Sequence, residues 1–112
     1  MNYTPILTNK YELESIVEHL NAKNLMNFII AFKDYKFIDI IYKTIYKLNL
    51  NTANMDIQQF YIDNITKFKN LIILKCKRCQ LITDNIINKL PNLMKLNCSY
   101  CQFITNTSIY NL

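Results

Sequence analysis

Shifted by 22 residues, the C-terminal part of the chain falls on itself. Residues 70–90 and 92–112 share Asn70, Leu71, Leu74, Cys76, Cys79, Gln80, Ile82, Thr83, Ile87 and Leu90 with their counterparts, ten identities in 21 positions. A unit this short cannot bury its apolar side alone, so tandem copies must stack, equivalent residue on equivalent residue. The pattern inside the unit says how. Leu74 and Cys76 stand two apart, the period of a strand, with Leu71 leading in. Cys79 and Ile82 turn inward after the strand. Thr83 followed by Asp84 offers a helix N-cap, and Ile86, Ile87 and Leu90 give one or two turns of helix an apolar stripe. Pro91 stops the helix before the next strand. The expected fold class is α/β (α+β), with one strand per unit joined in a parallel ladder.

A divergent unit precedes these two. Ile45, Leu48 and Leu50 repeat the spacing of Leu71, Leu74 and Cys76 at an offset of 26. Ile57, Phe60, Tyr61, Ile65 and Phe68 would supply its helix. The alternative is that residues 45–50 merely end a helix. The chain thus divides into a helical segment over 8–44 and repeats over 45–112 (45–69 divergent, 70–91 and 92–112 clear).

The unit Leu-x-x-Leu-x-Cys-x-x-Cys-x-x-Ile-Thr-Asp-x-x-Ile-x-x-Leu resembles the cysteine-containing leucine-rich repeat family over residues 68–112. The resemblance implies a solenoid that binds other proteins. In such a strand the residues between the inward ones form the partner face, here Ile73, Lys75 and Lys77 in one unit and Lys95, Asn97 and Ser99 in the next. Three lysines on so small a face favour an acidic partner and salt-sensitive association; the alternative is a solvated face that only reflects lysine-rich codon usage. At the C-terminal unit, Leu96, Ile104 and Ile109 would lack a stacked neighbour, and its strand would be a sheet edge. Self-association through this end is expected, or a marginal monomer that frays there first.

The cysteines admit three readings. Cys76-x-x-Cys79 and Cys98-x-x-Cys101, with 18 residues between the pairs, have the spacing of a four-thiolate zinc ribbon. Against it, their neighbours Lys77, Arg78, Ser99 and Tyr100 include no glycine, and the repeat identity extends far beyond the sulfurs. A solenoid explains all the matches, with cysteine as a small buried apolar residue. Stacked cysteines could also come within disulfide reach, which a reducing compartment opposes. The expectation is a structural role, with no metal and no cofactor.

Residues 8–47 read as three short helices. Leu13, Ile16, Val17 and Leu20 share one helical face; Leu25, Met26, Phe28, Ile29 and Phe32 form the second; Ile38, Ile41, Tyr42 and Ile45 the third. Asn21 or Asn24 can cap the second helix. The stretch Leu13-x-x-Ile16-Val17-x-x-Leu20-Asn21-Ala22-Lys23-Asn24-Leu25-Met26 resembles the middle of an F-box, with Lys33 at its basic position. It departs from that pattern at Thr8-Asn9, where Leu-Pro opens the motif, and at Ala22, where proline is usual. Tyr35 stands nearest the place of its late tryptophan. An F-box followed by cysteine-containing repeats resembles the substrate receptors of cullin ubiquitin ligases, including similar Asn/Ile/Lys-rich chains of large DNA viruses. That resemblance implies docking of Leu13, Ile16, Val17, Leu20, Leu25, Met26 and Ile29 on a Skp-family adaptor subunit, with the repeats holding a target protein. The alternative is a plain repeat-binding protein whose helices only cap the solenoid.

Composition removes other functions. Glycine is absent, so Walker loops, dinucleotide fingerprints and nucleophile elbows are excluded, and asparagine should stand in at helix C-termini. The net charge of +5 is spread over the chain, with Arg78 the lone arginine and no nucleic-acid motif, which argues against nucleic-acid binding. The single His19 has no nucleophile partner in readable geometry and the carboxylates are scattered, so an enzyme is not expected. Without a basic-then-apolar start or a long apolar run, the expected setting is intracellular and cytoplasmic (host cytoplasm if viral), with no membrane partner.

Overall fold

The computed structural model describes residues 10–110 and 112, without the side chains of Lys10, Tyr11, Leu13 and Glu14. The start of the helical segment at residues 8 and 9, including Thr8-Asn9, and the side chain of Leu13 therefore lie outside the described residues. Three helices come first: α1 (Lys10–Val17), α2 (Ala22–Ala31) and α3 (Ile38–Thr44). Three strand-turn-helix units follow. They are β1 (Lys47–Asn49) with α4 (Met55–Asp63) and a 3-10 turn (Ile65–Lys67), β2 (Ile73–Lys75) with α5 (Asp84–Ile87), and β3 (Lys95–Asn97) with α6 (Asn106–Tyr110).

Local chemistry sets the helix starts. Asn21 accepts a hydrogen bond from the Asn24 amide at 2.8 Å, Asn54 from that of Ile57 at 2.9 Å, and Thr83 from that of Ile86 at 3.3 Å. Each side chain satisfies a backbone donor that the first turn leaves open, worth about 1 kcal/mol. Of the two asparagines open to that role at the second helix, Asn21 takes it.

The strands form one parallel sheet in the order β1-β2-β3. Leu48 pairs with Leu74 and Leu74 with Leu96, so the offsets of 26 and 22 are the register itself. Residues 45–50 do not end a helix; α3 stops at Thr44 and Lys47–Asn49 is a strand. Three inward columns result. Ile45, Leu71 and Leu93 are all buried. Leu48 and Leu74 are buried with Leu96 half-buried, and Leu50 and Cys76 are buried with Cys98 half-buried. The third unit is the less covered one because it stacks on a neighbour from one side only, whereas the first unit is also packed by α2 and α3.

With no glycine, the turn after each strand places a different residue in the left-handed region: Thr52 (φ 58°), Arg78 (φ 62°) and Tyr100 (φ 61°). They are equivalent positions in the three units. Asparagine does end two helices, at Asn64 and Asn88, but with negative φ, so the left-handed role expected of it falls to the strand turns instead.

The helical segment shares its core with the repeats. Leu25 and Ile29 of α2 belong to the same buried cluster as Tyr61, Phe68 and Leu74. The fully buried Tyr61 donates its hydroxyl to the Ala22 carbonyl at 2.5 Å. Tyr42 of α3 meets Phe68 edge-to-face at 5.1 Å. The molecule measures 49 × 25 × 21 Å.

Candidate binding face

In each strand the residue between two inward ones must point to the opposite side. The register carries this across the sheet and slightly beyond it. Lys47, Ile73 and Lys95 form one column, and Asn49, Lys75 and Asn97 the next. A third follows from bonds past the strand ends: the Asn51 side chain accepts from the Lys77 amide at 2.8 Å, and the Arg78 amide donates to the Ser99 carbonyl at 2.9 Å. All six expected residues, Ile73, Lys75, Lys77, Lys95, Asn97 and Ser99, thus lie on one face. Ile73, Lys75 and Lys77 are half-buried, and Lys95, Asn97 and Ser99 are exposed.

The first unit adds Lys47, Asn49 and Asn51, which the sequence reading missed. The signal was present, because the offset of 26 that equates Leu48 with Leu74 also equates Lys47 with Ile73 and Asn49 with Lys75. The nine positions hold four lysines, three asparagines and no carboxylate. Neighbours within a column lie about 4.8 Å apart across the sheet, and adjacent columns about 6.6 Å apart along the strands, so the positive charges reinforce one another.

On the opposite side of the sheet the cysteines pack beside the aliphatic columns. Cys76 and Cys79 are buried, Cys98 and Cys101 half-buried, and all four are free thiols. Cys79 donates its thiol to the Leu50 carbonyl at 3.0 Å, and Cys101 to the Cys76 carbonyl at 2.8 Å. Burial pushes the Cys79 thiol up to about 11, the neighbouring Cys101 adding to it. Burial likewise raises Cys76 and, to a smaller extent, Cys98. A four-thiolate site needs its sulfurs to converge on one ion; among the described residues no group of three or more His, Cys, Asp or Glu is placed to hold a metal.

Amides and one carboxylate join the units. Asn70 donates to the Lys43 carbonyl at 2.9 Å, and its counterpart Asn92 to that of Lys69 at 2.8 Å. The buried Gln58 donates to the Ala53 carbonyl at 2.8 Å and accepts from the Leu81 amide at 3.0 Å. Asp84 accepts from the Ser108 hydroxyl and from both the hydroxyl (2.6 Å) and amide (2.9 Å) of Thr105. These bonds hold its carboxyl below the usual carboxylate range, Ser108 contributing most. Ser108 stands where the previous unit has the apolar Ile86, so periodicity alone gave no reason to expect a polar link there.

The expected docking residues of the helical segment fall on different sides. Leu25 and Ile29 are buried in the core. Val17, Leu20 and Met26 pack against it and are half-buried, and Ile16 is exposed. His19 lies on the surface with its Nε2 4.0 Å from Glu18. Among the described residues no helix is long and apolar enough to cross a membrane.

Comparison with protein-family models, with curated proteins and with solved structures gives no match to this chain.

Proposed function

We propose that the chain is a protein-binding scaffold of the leucine-rich repeat type, with a helical N-terminal cap, and that it holds an acidic surface of a partner on the lysine-bearing strand face. One observation carries the reading: the register aligns Lys47, Lys75, Lys77 and Lys95 on a single face with no carboxylate among its nine positions. Such a face steers an oppositely charged partner and weakens as salt screens it. The burial of Leu25 and Ile29 supports the cap over a docking module, since residues committed to the core cannot also anchor a separate subunit.

The experiment titrates the protein with a glutamate-rich peptide at low and high salt and follows backbone amide shifts. Shifts are expected at Lys75, Lys77, Lys95 and Asn97, with affinity falling on salt addition and on joint Lys75→Ser, Lys77→Ser and Lys95→Ser replacement. Unchanged affinity in that variant would remove the face from consideration. Tight binding to a purified Skp-family subunit, lost in Ile16→Asp while the fold persists, would install the ubiquitin-ligase adaptor in place of the plain scaffold.

A further inference from the structure

Among the described residues, strand β1 is a sheet edge. Tyr46 accepts at its carbonyl from the Ile72 and Ile73 amides, and Leu50 donates to the Lys75 carbonyl at 2.6 Å, so the even-numbered residues of this stretch face β2. In a parallel ladder alternate residues turn their N–H and C=O to opposite sides. Lys47 and Asn49 therefore present theirs away from the sheet. Such an edge is a template for another strand.

The edge does not face open solvent. A cleft of about 890 Å³ runs along it, bounded on the far side by the α1–α2 connection. No residue of β2 lines it, which places it on the outer side of β1. Val17, Leu20, Ala22 and Ile57 give it an apolar wall, and Glu18 and Lys23 stand with Lys47 among its polar groups. It lies at the upper end of the usual range for ligand sites, roughly 300–1,000 Å³. Its mouth is continuous with the lysine face, since Lys47, Asn49 and Asn51 belong to both.

We propose that this cleft binds an extended acidic segment of a partner protein as a fourth strand, parallel to β1. The inference rests on the scaffold reading and names how the partner is held. Main-chain bonds form to the outward groups of Lys47 and Asn49. Strand alternation then divides the guest side chains: those opposite Lys47 and Asn49 turn to the lysine face, and those between them turn to the apolar wall. The recognised pattern is acidic-apolar-acidic. Carboxylates at the outer positions extend the lysine columns with the charge those columns lack.

The test uses a labelled heptapeptide of alternating glutamate and valine, read by fluorescence anisotropy and by amide shifts of the full chain. Saturable binding is expected, with the largest shifts at Lys47 and Asn49. A lysine-valine peptide should bind about tenfold more weakly, and so should the acidic peptide methylated at alternate backbone nitrogens on the pairing side. The exposed Lys47→Glu variant should reverse the charge preference without disturbing the core. Equal affinity of the methylated peptide would rule out strand pairing. Shifts confined to Lys75, Lys77 and Lys95 would overturn the cleft while leaving the scaffold reading intact, and no binding by any acidic peptide would remove both. A stable dimer whose interface shifts fall on Lys47 and Asn49, and which the peptide does not displace, would assign the edge to a second copy of the chain.

Discussion

The Cys101 thiol donates to the Cys76 carbonyl at 2.8 Å, one unit along from the Cys79 thiol, which donates to the Leu50 carbonyl at 3.0 Å. Each of these carbonyls also accepts the amide three residues on, Ala53 to Leu50 and Cys79 to Cys76. The thiol thus fills a second lone pair on an oxygen at the end of a strand. Cysteine suits the position because it is small and apolar yet keeps one weak donor.

The thiols should then behave as parts of the core. Cys79→Ala removes the donor and opens a small void, and should lower stability by about 1–3 kcal/mol in denaturant unfolding. At pH 8, Cys76 and Cys79 should alkylate only as fast as the chain unfolds, because burial both hides them and raises them further above that pH. A chelator should leave the melting temperature unchanged. Rapid labelling of Cys79 in the folded protein would show that this layer is open.

The last helix is held by a carboxylate, so its order should depend on pH. The Asp84 carboxyl titrates below its ordinary value of 3.8 because Ser108 and Thr105 donate to the charged form. A group lowered in the folded state contributes its stability above its unfolded value and loses it as pH falls through the folded one. Amide protection across Thr105–Tyr110 should therefore drop on acidification below about pH 4. Asp84→Asn should lower that protection at neutral pH and flatten its acid dependence. An acid profile that is the same in variant and wild type would place the cause elsewhere.

The N-terminal helices should unfold together with the repeats. Leu25→Ala should cost about 2–5 kcal/mol and Tyr61→Phe about 1 kcal/mol, the first by leaving a cavity and the second by losing the bond to the Ala22 carbonyl. Both variants should retain a single transition by helix signal and by amide exchange in β2. Loss of α2 alone, with the repeats still protected, would mean that the two parts are energetically separate.

Glycine introduced at a left-handed turn should stabilise a chain that has none. Thr52 is the least suited of the three residues there, since its branched Cβ crowds the backbone at φ 58°. Thr52→Gly should raise stability by up to about 1 kcal/mol, the relief exceeding the added freedom of the unfolded chain. A lower melting temperature would instead assign the turn's stability to the bond from the Thr52 hydroxyl to the Asn51 carbonyl at 2.6 Å.

The sequence by itself determined the repeated strand, its register and the face that carries Lys75, Lys77 and Lys95. These follow from local periodicity, because a one-residue slip would turn every inward leucine outward. It also determined the Thr83 cap and the inward burial of Cys76 and Cys79. Only the tertiary structure decided where the flanking pieces went. An apolar helix face reads the same whether it meets its own chain or another protein, and Leu25 and Ile29 went to the core because Tyr61 and Phe68 present an apolar end to cover. The link from Asp84 to Ser108 and the span of Gln58 between two units escaped the pattern for a related reason. A buried polar side chain finds its partner in three dimensions, and no one-dimensional period encodes that meeting. The edge groups of Lys47 and Asn49 and the cleft beside them arise in the same way, from the α1–α2 connection standing across the sheet's first strand.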